Sequence, residues 1–181
     1  MHRASALQNV AVQGRFGADK GTPGVVLSVI HPLSIVMVIA RSGKEQALQD
    51  ALAGLKKLEV LWAGPNQFYV QAPALNDGAL YSDLKNRLAG IASVSDQSHG
   101  RVAIRINGPK ARAVLSKGTP VDLHVDEFGV GKSALTQMAH VSVHLTRNGT
   151  DTFTLSVFRG FSESFWEWLT SQAAEFGYQV Q

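Results

Sequence analysis

The alternation of apolar and polar residues along the chain predicts a mixed α+β protein. In residues 101–106, Val102, Ile104 and Ile106 alternate with basic or small residues, the period of a strand with one buried face. Similar apolar runs, most of them rich in β-branched residues, predict strands over 24–30, 33–41, 58–63, 67–72, 92–96, 134–140, 142–147 and 152–158. Apolar residues three and four apart predict four helices, which begin near Ser42, Asn76, Gly108 and Ser162.

The last predicted helix, residues 162–176, contains two tryptophans that the pattern separates. Trp168 falls within the apolar stripe of this helix, so we expect it in the core. Trp166 lies on the other side, between Glu163 and Glu167. It is therefore predicted to be either half covered by a loop or an outward anchor for another subunit.

The order of the predicted elements indicates two α+β halves of similar build. Residues 1–23 contain scattered glycines and no sustained period, which favours a flexible N-terminal arm. Residues 24–181 contain no stretch typical of a linker and are predicted to form a single domain with antiparallel sheets.

Composition narrows the classes of function. The chain has 181 residues, a formal net charge of +3 and no cysteine, which excludes disulfides, thiolate metal sites and cysteine nucleophiles. So small a charge requires neither a nucleic acid nor an acidic membrane as a partner, and we expect neither. No signal peptide is visible, which favours a soluble cytoplasmic protein.

Familiar catalytic and cofactor motifs are incomplete in this sequence. Residues 129–133, GVGKS, lack the first glycine of a P-loop, and Asp126 stands in its place. His140 and His144 are predicted to share a strand face about 13 Å apart, too far to bind one ion. No Gly-x-Gly-x-x-Gly fingerprint is present. We therefore predict no catalytic, cofactor-binding or metal-binding residue.

A basic run interrupted by no acid extends from Arg101 to Lys117. Arg101 and Arg105 are expected on one strand face, which is either an ordinary solvated face or a surface for an anion or an acidic partner. The sequence-based candidates for partner contact are Arg101, Arg105, Arg112 and Trp166.

Five segments carry a resemblance to a known family. They are residues 60–66 (VLWAGPN), 98–102 (SHGRV), 108–112 (GPKAR), 117–123 (KGTPVDL) and 165–169 (FWEWL). Their order and spacing resemble domain one of the aminomethyltransferase, or glycine-cleavage T protein, superfamily. Within this superfamily, the chain resembles the gamma-subunit family of heterotetrameric sarcosine oxidase more closely than it resembles the T protein.

The resemblance implies a fold of two intertwined βαβ-type halves, the folate-binding fold of the T protein and TrmE. It implies a non-catalytic gamma subunit of a flavoenzyme that demethylates sarcosine to glycine in one-carbon metabolism. The alpha, beta and delta subunits would be its partners, and would carry the FAD, FMN, NAD and tetrahydrofolate. The alternative is a stand-alone folate-binding module, for which Asp96 or Asp122 would be the acid that holds the pterin.

Overall fold

A computed structural model describes residues 4–18, 21–74 and 77–181. The chain divides into two compact units, and the first consists of two separate segments, Met1–Ile30 and Val102–Gln181. The second unit, His31–Arg101, is inserted between those segments. The two units are thus intertwined along the chain.

The first unit is built on a seven-stranded sheet. Its strands are β1 (Gly14–Phe16), β2 (Val25–Ile30), β7 (Arg101–Asn107), β8 (Ser133–Met138), β9 (Val141–Gly149), β10 (Thr152–Phe158) and β11 (Tyr178–Val180), in the order β1-β11-β2-β7-β10-β9-β8. β2 pairs with β11 in parallel, and the β1–β11, β2–β7, β8–β9 and β9–β10 pairs are antiparallel. β1 and β8 are therefore the edge strands of this sheet.

Two helices, α3 (Ala111–Leu115) and α4 (Ser162–Ala173), contribute to the core of the first unit. Alternate residues of β7 and β9 supply its strand side, and Phe165 and Leu169 supply its α4 side. A 3₁₀ turn, Ala174–Phe176, ends α4, and Gly177 follows with a φ of 66° that suits glycine.

The second unit is a four-stranded sheet with two helices. Its strands are β3 (Leu33–Ala40), β4 (Glu59–Gly64), β5 (Gln67–Pro73) and β6 (Ala92–Asp96), and its helices are α1 (Glu45–Ala53) and α2 (Ala79–Arg87). The strand order is β4-β5-β3-β6, and every pair is antiparallel. Leu48 of α1 and Leu84 of α2 pack with Val36, Val38 and Val70 of the sheet.

Asp96 and Ser98 make a hydrogen-bonded connection at the end of β6. The Asp96 carboxylate accepts the Ser98 N–H at 2.9 Å, an Asx turn. The Ser98 hydroxyl in turn accepts the Ile35 N–H at 3.0 Å. The two residues extend the attachment of β6 to β3 beyond the regular ladder, so their role here is structural.

The predicted α+β class with antiparallel sheets is confirmed, as are most strands. The third helix, predicted to have Gly108 at its cap and Pro109 in its first turn, begins instead at Ala111 with Lys110 at the cap. Residues 108–111 form a turn first, in which the Ala111 N–H donates to the Gly108 carbonyl at 2.9 Å. The predicted cap at Asn76 lies outside the described residues. The flexibility of residues 1–23 and the single domain over 24–181 stay predictions; the described part of that arm contributes Leu7 to the core and β1 to the sheet.

Candidate partner interface

The structure divides the basic run into charges that are paired within the chain and charges that are not. Arg112 bonds Asp151, with Nη1 and Oδ1 3.3 Å apart, and Lys117 bonds Glu175. Both acids lie far away in the sequence, so the run is less positive than its local composition indicates. Arg105 is exposed on β7 and forms no ion pair with any described residue.

Arg101 is a packed residue rather than a solvated one. Its guanidinium carbon lies 4.8 Å from the centroid of the Tyr69 ring, a cation–π contact. Burial raises the pKa of the Tyr69 hydroxyl and lowers the pKa of Arg101, and the attraction between the two opposes both changes. Arg101, the last residue of the second unit, therefore stabilises that unit by its contact with Tyr69, and contact with a partner is not needed to explain it.

The expectation that Trp166 points outward is wrong. Its exposed fraction is 5%, and it belongs to the core of the first unit with Phe165 and Leu169. The helical pattern could not show this, because the chain segments around Trp166 come from both ends of the sequence. Whether any of the four sequence-based candidates contacts a partner stays a prediction.

Trp166 also lines an open groove of about 610 Å³, which we call the α4 groove. Its lining residues are Val10, Val12, Phe16, Glu163, Ser164, Trp166, Glu167, Thr170, Tyr178 and Val180. One wall is α4, another is the segment that leads into β1, and β11 contributes Tyr178 and Val180. Apart from Trp166 and its two flanking glutamates, sequence reasoning did not single out these residues, because no local pattern joins segments 150 positions apart.

The N-terminal wall of the α4 groove is fixed by pairing with the end of the chain. Phe16 is the register partner of Tyr178, and the two rings stack with centroids 5.3 Å apart. Beyond β1, the Ala18 N–H donates to the Ala174 carbonyl at 3.0 Å. Apolar side chains remain open to solvent here, since Val12 is 61% and Phe16 40% exposed.

The opposite edge of the same sheet is a second surface feature. β8 carries no charged residue, and its Leu135 is 52% exposed. Natural sheets usually protect an edge strand with charge, proline or a cover. β8 itself carries neither charge nor proline.

The remaining histidines and acids of the described ranges do not assemble into a metal site. His140 lies in the turn after β8 with a φ of 65°, whereas His144 is buried in β9, so the predicted shared strand does not exist. Among the residues that the structure describes, no three His, Asp or Glu side chains are placed to hold a metal ion. Asp122, like Asp96, accepts a backbone N–H of its own turn, from His124 at 2.8 Å.

None of the helices in the described ranges is long and apolar enough to cross a membrane.

Comparison of the sequence with protein families gives one matching model, the sarcosine oxidase, gamma subunit family, over residues 31–175. The sarcosine oxidase subunit gamma of Corynebacterium sp. (strain U-96) is 31% identical over 96% of this chain and 82% of its own length. The subunit gamma of Arthrobacter sp. is 32% identical over 75% of this chain and 66% of its own length.

Comparison with solved structures agrees. A chain of the heterotetrameric sarcosine oxidase from Corynebacterium sp. U-96, in complex with pyrrole 2-carboxylate, superposes with a TM-score of 0.81 at 28% identity, over 96% of both chains. The glycine cleavage system aminomethyltransferase T from Bartonella henselae has a TM-score of 0.61 at 20% identity, over 84% of this chain and 49% of that one. The second likeness shows the fold alone.

Proposed function

Because this chain belongs to the sarcosine oxidase gamma subunit family, we propose that it is the non-catalytic gamma subunit of a heterotetrameric sarcosine oxidase. Its partners are the alpha, beta and delta subunits of that complex. The complex oxidatively demethylates sarcosine to glycine, and this chain completes its assembly.

The observation that carries the proposal is the superposition on a chain of the Corynebacterium complex. It extends over 96% of both chains, so nearly the whole chain shares the fold of that subunit. A likeness restricted to the shared fold would support only a folate-binding type of domain, as the aminomethyltransferase match does.

We assign the FAD, FMN, NAD and tetrahydrofolate of the complex to the partner subunits. The absence of a dinucleotide fingerprint from this sequence supports that division for FAD and NAD. For folate, the support is that both acids near the resembling stretch use one carboxylate oxygen within their own turns.

The experiment is expression of the chain alone and together with the alpha, beta and delta subunits. Together, we expect a complex that contains all four chains and consumes oxygen with sarcosine. Alone, the chain should be colourless and inactive with sarcosine. A flavin absorption band that stays with the isolated chain through gel filtration would contradict the non-catalytic role, and failure to co-purify would contradict membership of the complex.

A further inference from the structure

The α4 groove contains two acidic side chains that make no stabilising polar contact with the described residues. Among the described residues that line it, Glu163 and Glu167 alone are charged, and both are exposed. Neither forms an ion pair or a side-chain hydrogen bond with any residue that the structure describes. They are four residues apart on α4, a spacing at which like charges repel, so the pair slightly destabilises the helix.

This acidic pair stands out on a chain whose formal net charge is +3. Glu163 is in the first turn of α4, where the helix dipole favours an acid, but Glu167 lies beyond it. Helix formation therefore explains one of the two carboxylates and not the other. A ligand that places a positive charge between the two carboxylates would remove their repulsion. It would also form charge-assisted hydrogen bonds with one or both of them.

The floor and the N-terminal wall of the α4 groove are apolar. Trp166, Phe16 and Tyr178 line the groove together with the two glutamates, and the Phe16 and Tyr178 rings stack on each other. Val10 and Val12 add exposed aliphatic side chains on the same wall. Aromatic residues in a recess next to charged groups are the composition found at the centre of protein interfaces.

We propose that the α4 groove receives a segment of a partner subunit in which a lysine or arginine stands next to an apolar side chain. The apolar side chain packs on the exposed Val12 and Phe16, and the cation lies between Glu163 and Glu167. This inference rests on the proposed function, since it names a contact through which the gamma subunit joins its complex.

The first test removes the charge without changing the shape of the groove. The test variant is Glu163→Gln/Glu167→Gln. The control is Asp126→Asn/Glu127→Gln, which neutralises two exposed acids on a loop that does not line the groove. Each variant is titrated into the partner subunits. We expect the groove variant to bind about tenfold more weakly at low salt, with a smaller loss of affinity as salt rises than the parent chain shows. The control should bind like the parent.

Affinity and salt dependence equal to those of the parent would overturn the inference while leaving the proposed function intact. Failure of the parent chain itself to assemble would overturn both, so the two failures are distinguishable. Circular dichroism of each variant confirms that folding is unchanged before binding is compared.

The second test identifies the occupant directly. A photo-crosslinking amino acid is incorporated at Ser164, which is exposed and lines the groove, and separately at the exposed Ser42 of the second unit. In the co-expressed complex, position 164 should crosslink to one partner segment that contains a lysine or arginine beside an apolar residue. A crosslink to a segment without a basic residue, or none from position 164, would overturn the inference.

Discussion

The packing of Trp168 against Gly118 leads to a sharp prediction for Gly118→Ala. A methyl group at Gly118 would lie 2.3 Å from Trp168 Cζ2 and 2.5 Å from Cη2, well inside van der Waals contact. The backbone of Gly118 does not have a positive φ, so alanine is excluded by the indole ring rather than by backbone strain. The ring must therefore move.

The cost depends on the neighbours of the indole ring. Trp168 is partly buried against the core of the first unit, and its ring centroid lies 5.6 Å from that of the fully buried Phe165, so a shift of the indole is passed on to the core. Overpacking of this kind costs about 1–3 kcal/mol. Replacing a glycine at a permitted backbone angle returns about 0.4–1 kcal/mol by restricting the unfolded chain. We expect a net loss of about 1–2 kcal/mol, which for a chain of this size lowers Tm by about 2–8 °C.

The assay is thermal unfolding followed by circular dichroism and by tryptophan fluorescence. Gly129→Ala and Gly160→Ala are matched controls, because a methyl group at either position would meet no atom within 4 Å and neither glycine has a positive φ. Both controls should unfold at or slightly above the Tm of the parent. A Gly118→Ala chain as stable as these controls would refute the argument.

A double-mutant cycle with Trp168→Leu isolates the contact. Leucine leaves the space that the added methyl group needs, so the penalty of Gly118→Ala should largely disappear in that background, giving a coupling energy of about 1 kcal/mol or more. If the penalty is the same in both backgrounds, the Gly118–Trp168 contact is not its cause.

Three further predictions follow from the charged and titrating groups. Because burial raises its pKa, Tyr69 should ionise at a higher pH in the folded chain than in the unfolded chain, as an absorbance titration would show. Stability should fall above about pH 10, where the unfolded chain loses that proton first. Tyr69→Phe should remove both effects. Arg105→Glu should slow association with the partner subunits mainly at low salt, whereas Arg87→Glu, on α2, should not, as stopped-flow rates at two salt concentrations would show. Calorimetry should detect no tetrahydrofolate binding to the isolated chain at low-micromolar affinity, about −8 kcal/mol; such binding would favour the stand-alone folate module.

The sequence predicted strands and turns well where the signal comes from residues that are neighbours in the chain. Residues 101–107 form β7 because every second side chain, such as Ile104 and Ile106, is buried on one side of the sheet. The β4–β5 hairpin follows from two apolar runs separated by a Gly-Pro-Asn turn, where Asn66 adopts a φ of 57°. These features depend on neighbours in the chain, which a sequence displays directly.

The sequence misled where a residue's surroundings come from distant segments. Arg112 and Lys117 appeared to be free charges because Asp151 and Glu175, which bond them, are 39 and 58 positions away. Trp166 appeared to be exposed because a helical projection describes only α4. The α4 groove was missed for the same reason, since its two walls come from opposite ends of the chain.

Several residues in the segments that resemble the family are needed for close packing of the fold. The resemblance therefore says less about function than about the fold. Gly118 leaves room for Trp168, and a methyl group at Gly108 would lie 2.5 Å from the carbonyl oxygen of Gly24. Asp96 and Ser98 hold β6 to β3. Such residues fix the fold, and so they identify the family without identifying the surface that a partner binds. The N-terminal wall of the α4 groove and Glu163 lie outside all five segments, so the resemblance does not bear on that part of the groove.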